Sequence, residues 1–203
     1  EVRDLARAPA VAAVAPVMPT NLIAPVSNDE GVEAAADPAP GGVAWGIEAV
    51  GAVASQRDGS GVVPAILDTG IDASHPAFAG VTLDQMDFSG SGNGDHQGHG
   101  THCAGTVFGR DVDGTRIGVA RGVTRALIGK VLGDDGSGDS DGLFRGIQWA
   151  AQSGAQVISM SLGFDFPGLV QRLVQQGFPV DLATSKALEA YRANLRMFDT
   201  LMR

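Results

Sequence analysis

The stretch from Val62 to Leu67 constrains the fold of this chain more than any other. It is apolar without alternation and stops abruptly at Asp68-Thr69-Gly70. A short run with no polar face is the pattern of a strand buried on both sides, as in parallel sheets covered by helices. The pattern then repeats. Arg125 to Leu132 and Val157 to Ser161 read as further strands, and His99 to Phe108 as a short helix whose Gly100, Ala104 and Gly105 permit close packing. Leu143, Phe144, Ile147, Ala150 and Ala151 fall at helical spacing within Asp141 to Ala151. Asp181 to Arg203 reads as a long helix with Leu182, Ala183, Leu188, Tyr191, Leu195, Phe198 and Leu201 near one face. Strands alternating with helices predict an α/β, doubly wound, mostly parallel sheet with flanking helices.

The N-terminal part follows other rules. Residues 1–26 are apolar stretches broken by Pro9, Pro16, Pro19 and Pro25, after a short amphipathic segment, Val2 to Arg7. Proline cannot donate to a ladder, so these stretches read as edge strands or extended arms. Residues 27–42 hold little to bury and several chain breakers, and read as a linker before the main unit, 43–203. Glu1-Val2-Arg3-Asp4 does not read as a signal peptide.

Charge and cysteine content exclude several function classes. The net charge is −9 and the 14 Lys and Arg are scattered, which argues against nucleic acid and against an anionic membrane surface as partners. No apolar run approaches the roughly 20 residues of a membrane span. A single cysteine, Cys103, provides neither a disulfide framework nor a cysteine cluster for zinc.

All four histidines lie between positions 75 and 102, three of them in Asp95-His96-Gln97-Gly98-His99-Gly100-Thr101-His102. Asp68 stands at the end of a buried strand, where functional groups gather in a parallel sheet. A histidine in the first turn of a helix, oriented by a strand-end carboxylate, is the base-and-orienter half of a nucleophilic hydrolase. Other readings of the same residues are weaker. Leu67-Asp68-Thr69-Gly70 alone also fits an aspartic protease, which needs a second such motif or a dimer in an all-β fold. His96, His99 and His102 could bind a metal, but Gly98 and Gly100 make the backbone irregular and no carboxylate completes the set. Gly138-Asp139-Ser140-Asp141-Gly142 fits a nucleophile elbow, which requires a histidine later in the chain than His102. His102 and His75 read as structural residues and Cys103 as a small buried hydrophobe one turn from His99. Asp134, Asp135, Asp139 and Asp141 read as solvated turn formers.

Three blocks, in order, resemble the subtilisin family of serine peptidases, most closely its proteinase K-like branch. They are Ile66-Leu67-Asp68-Thr69-Gly70-Ile71-Asp72 with Ser74-His75-Pro76, then Gly98 to Thr106, then Val157-Ile158-Ser159-Met160-Ser161-Leu162-Gly163. The resemblance implies a serine endopeptidase with Asp68 as triad aspartate and His99 as general base. It implies that Gly136-Ser137-Gly138 and Ser161-Leu162-Gly163 are two strand edges that pair with an extended polypeptide substrate. The family's Gly-Thr-Ser-Met-Ala-like serine block and its oxyanion asparagine do not occur between residues 1 and 203. The expected partner is therefore the C-terminal remainder of the domain, this portion alone being inactive. A peptide-binding pseudoenzyme and one piece of a nicked protease are the alternatives. Ala77 replaces an acidic residue that often ligates calcium in the family, leaving Asp111 and Asp113 as acids for any calcium. Residues 1–26 resemble the tail of the family's inhibitory propeptide, with Ala6 to Val17 as its last strand and Trp45-Gly46-Ile47 as the start of the mature domain. Such a propeptide is a further expected partner and fits secretion; the lone cysteine fits cytoplasm equally. Pro167 to Arg203 is longer than the family's helix there.

Overall fold

A computed structural model describes residues 11, 14–23 and 41–202. At its centre β2 (Pro64–Asp68) lies between β4 (Arg125–Lys130) and β6 (Val157–Met160), with β3 (Thr82–Asp87) outside β4. All three pairings are parallel. This is the predicted α/β sheet. Its central strands are buried on both faces, so their side chains alternate between two cores. Ile66, Ala126 and Ile128 join Phe78, Ala104 and Phe108 beneath helix α2 (His99–Phe108). Ala65, Leu67 and Leu127 join Leu143, Ile147 and Ala150 of helix α3 (Ser140–Gln152). A short helix α1 (Trp45–Ala49) precedes β2.

Strand β3 has no counterpart in the sequence reading. Its burial is mostly intermediate and it carries Asp84 and Asp87, so neither an apolar run nor a clean alternation marks it. Parallel pairing to β4 along its whole length holds it in place, with Arg125 reaching Asp84 at 2.6 Å.

A second, smaller sheet stands apart from the first. Strand β1 (Pro19–Leu22) lies between β5 (Ser137–Asp139) and β7 (Leu162–Phe164), antiparallel to both. This corrects one expectation, because the strand is central rather than an edge. Most of Ala6 to Val17, expected as the propeptide's last strand, lies outside the described residues. Pro19 is its first residue, a position where a missing N–H costs nothing. Residues 14–18 carry no strand. The amphipathic segment Val2 to Arg7 and most of the linker lie outside the described residues.

The region after β7 forms two helices, α4 (Phe166–Gln175) and α5 (Val180–Leu201), packed on each other. The buried stripe of α5 is Ala183, Ala187, Ala190, Ala193 and Asn194, whereas Leu182, Leu188 and Leu195 are exposed. The expected leucine face is thus mostly outside. Small side chains at these spacings let α4 and α3 approach the helix closely, which larger ones would prevent. Tyr191 and Phe198 do turn inward, Tyr191 standing edge-on to Phe164 and Phe166.

One contact fixes where α2 begins relative to β2. Gly100 lies so close to the strand end that a Cβ would meet the carbonyl oxygen of Gly70 and crowd Asp68 Cβ at 3.2 Å. Gly100→Ala must push the helix off the strand. We expect a loss of about 2 kcal/mol, seen as a Tm lower by roughly 5 °C. A melting curve matching the parent's would show that the approach is not tight.

Candidate active site

Asp68 is the last residue of β2 and is 1% exposed. A carboxylate there must be paired and hydrogen-bonded to remain charged. Its Oδ1 accepts from the Thr69 backbone N–H at 2.8 Å and lies 2.8 Å from His99 Nδ1. A carboxylate only accepts, so Nδ1 is the donor in this pair. Gly98, at φ 93°, turns the chain into α2 and puts His99 in the first helical position. The Asp68–His99 pair expected from the sequence is therefore assembled, across 31 residues of chain.

What holds His99 there is a group that the sequence reading passed over. Asp95 accepts from Thr69 Oγ1 at 2.9 Å, Gly98 N–H at 2.8 Å and Gln97 N–H at 3.1 Å through one oxygen. Through the other it accepts from Thr101 N–H at 2.9 Å and Thr101 Oγ at 2.6 Å. Thr69 Oγ1 in turn accepts from Gly100 N–H at 2.9 Å. Free N–H groups of the first turn of α2 are thereby satisfied by the residue after Asp68 and by Asp95. Burial works against the Asp95 charge, but these donors, Thr101 first, hold its carboxyl below the usual carboxylate range. An acid three residues before the helix-opening Gly98 was the available signal.

Cys103 lies one turn below His99, its Sγ 3.7 and 3.8 Å from the two ring nitrogens and 3.7 Å from Ser161 Oγ. Burial, and then the nearby Asp68 charge, push its thiol up despite the Ser161 contact. It is a protonated neighbour of the imidazole rather than a thiolate. Asp68, His99 and Cys103 form the one cluster of metal-ligating atoms among the described residues. His96 and His102 are both exposed and do not join it. His102 is thus not held inside the helix packing as expected; it points outward from α2. His75 does take a turn role, its Nδ1 accepting from Ala77 N–H at 3.2 Å.

All six expected edge residues line one channel occupied by residues 19–23. Gly138 and Ser137 stand opposite Thr20 and Asn21, and Gly136 O accepts from Leu22 N–H at 3.0 Å. Gly163 and Leu162 stand opposite Asn21 and Leu22, and Ser161 O accepts from Ile23 N–H at 3.2 Å. The strand therefore runs toward His99, since Ser161 also touches Cys103 under the imidazole.

The acidic loop is more than solvated turns. Asp134 pairs with Lys130 Nζ at 2.8 Å, and that buried ammonium also donates to the carbonyls of Thr69 at 2.5 Å and Gly94 at 3.2 Å. Asp139 caps α3 through Gly142 N–H at 2.9 Å, and Asp141 pairs with Arg145 at 3.0 Å. Asp111 is held by Arg121 at 2.9 Å, and Ala77 is buried in a turn.

The subtilase family (peptidase S8) matches residues 59–193. The chain belongs to that family. It is 32% identical over 111 residues to the major intracellular serine protease of Bacillus subtilis, covering 52% of this chain and 35% of that protein. It is 41% identical over 110 residues to thermitase of Thermoactinomyces vulgaris, covering 52% and 39%. It is 42% identical over 105 residues to subtilisin DY of Bacillus licheniformis, covering 52% and 38%. The matched part is thus well under half the length of each relative.

Two measurements probe the site itself. Asp95 has a lowered folded carboxyl, so its stabilisation is complete above about pH 4, its unfolded range. It is lost as pH falls through the lower folded value. Asp95→Asn should remove that acid-sensitive part, flattening the fall in Tm below about pH 4; an unchanged acid slope would count against the network. Cys103 should react with iodoacetamide at pH 8 at least about tenfold more slowly than a free cysteine, as followed by mass spectrometry. Equal rates would mean an accessible thiolate.

Proposed function

We propose that this chain is the N-terminal portion of the catalytic domain of a serine endopeptidase. Asp68 orients His99, and His99 Nε2 takes the proton of a serine that lies outside residues 1–203. The observation that supports this most is the 2.8 Å Asp68–His99 bond at the end of a channel whose two walls bind a strand through backbone groups. Such a channel takes extended polypeptide by its backbone groups, and side-chain pockets choose the residues. A nucleophile placed beside Ile23 would attack a carbonyl there while the imidazole accepts and then returns a proton to the leaving amine.

In the same reading, residues 1–26 are the tail of an inhibitory propeptide, of which residues 19–23 occupy the channel in place of substrate. The linker, residues 27–42, follows that tail in the sequence. Residues 43–203 then form the first part of the peptidase domain, and the remainder of that domain is its partner.

The test uses the full-length protein. It should label with a fluorophosphonate and hydrolyse casein-derived peptides, and His99→Ala should lower kcat/KM by about 10⁴-fold or more. N-terminal sequencing should find the parent cleaved after the channel-bound segment and His99→Ala uncut. A protein that binds extended peptides but never labels would instead be a binding module of the same fold.

A further inference from the structure

Beyond the channel, the chain upstream of β1 is gripped by parts of the molecule that the two edges do not include. Met18 N–H donates to Ser140 Oγ at 3.0 Å, and Ser140 N–H donates to Met18 O at 2.8 Å. Asp165 N–H, just before α4, donates to Pro19 O at 2.8 Å. Asn194 Nδ2, on α5, donates to Pro16 O at 2.8 Å and to Ala190 O at 2.9 Å. Asn194 is fully buried and continues the alanine stripe of α5, where one more alanine would pack without a polar group to satisfy. Its amide instead reaches a backbone carbonyl 178 residues away. Met18 is fully buried, while Val14 and Val17 lie against a groove of about 440 Å³ walled by Leu169 and Leu173 of α4 and by α5.

We infer that the α4–α5 hairpin is an upstream extension of the polypeptide channel. It recognises extended polypeptide at the positions of Pro16 to Pro19, four to seven residues before Ile23. Two of its contacts, from Asn194 and from Asp165 at its start, go to backbone carbonyls, and Ser140 of α3 adds a third, so they tolerate any sequence. Selectivity comes from the closed position of Met18, which admits an apolar side chain and excludes a charged one. The chain's own N-terminal segment is the ligand seen in the structure. The same surface then favours long, unfolded, apolar polypeptide over short peptides. This rests on the peptidase reading only for its second arm.

In the first arm, a site-specific protease sequence is placed in the linker between residues 28 and 34 and cut, leaving the N-terminal peptide held non-covalently. Gel filtration with mass spectrometry follows its release. Asn194→Ala and Leu173→Asp, each shown by circular dichroism and melting to be folded, should release it about tenfold faster than the parent. Met18→Asp in the peptide should do the same or more. Release at the parental rate from all three would overturn the inference. In the second arm, the full-length processed protein is given peptides that stop at the Thr20 position and peptides extended through the Pro16 position. The ratio of their kcat/KM values should be about ten in the parent and near one in Asn194→Ala. A parental ratio near one overturns the extended channel. Absence of any hydrolysis would sink the peptidase reading alone, because the release arm does not depend on it.

Discussion

A buried carboxylate at the end of a central parallel strand sets the terms for the rest of this structure. Asp68 is 1% exposed, and its side chain and its backbone oxygen gather hydrogen-bond partners from three directions. Its side chain takes Thr69 N–H and the His99 ring, and its backbone oxygen takes Val131 and Leu132 N–H at 2.9 and 3.1 Å. The ends of β2 and β4 and the start of α2 are therefore gathered at one residue. Two glycines serve the same purpose sterically: a Cβ at Gly70, φ 107°, would meet the carbonyl of Gly94 in the loop before α2, and one at Gly100 would meet the carbonyl of Gly70.

The channel depends on a different constraint. β5 and β7 are three residues each and do not pair with one another; β1 joins them. A strand edge carries unpaired N–H and C=O groups that seek a partner. Two short edges facing each other across one strand's width satisfy themselves only by taking in an extended chain. The N-terminal segment is held there by that backbone chemistry.

What was legible in the sequence follows burial. β2, β4 and α3 were readable because both faces of the strands and one face of the helix are apolar over their length. The Asp68–His99 pair was readable because strand-end and helix-start positions carry chemistry in such folds. β3 was not readable because sheet pairing, not side-chain pattern, holds a half-exposed segment. The α5 face was misjudged because hydrophobicity favours leucine, whereas helices that pack tightly bury alanine. β1 was read as an edge strand or extended arm because prolines in the segment suggested breaks, and a proline at a strand's first residue breaks nothing. Asp95 escaped notice because its work is done on backbone N–H groups, which leave no trace in composition.

Lys130 shows why the acidic loops cannot be treated as independent of the site. A buried ammonium needs acceptors as much as a buried carboxylate needs donors. Lys130 finds them in Thr69 O, Gly94 O and Asp134, residues from the loop after β2, the loop before α2 and the loop before β5. Thr69 follows Asp68, Gly94 precedes Asp95, and Asp134 leads into the edge at Gly136 to Gly138. One cation therefore sets the distance between the histidine's two supports and the wall that holds polypeptide. His99 and the channel keep their relative position because the same charge anchors both.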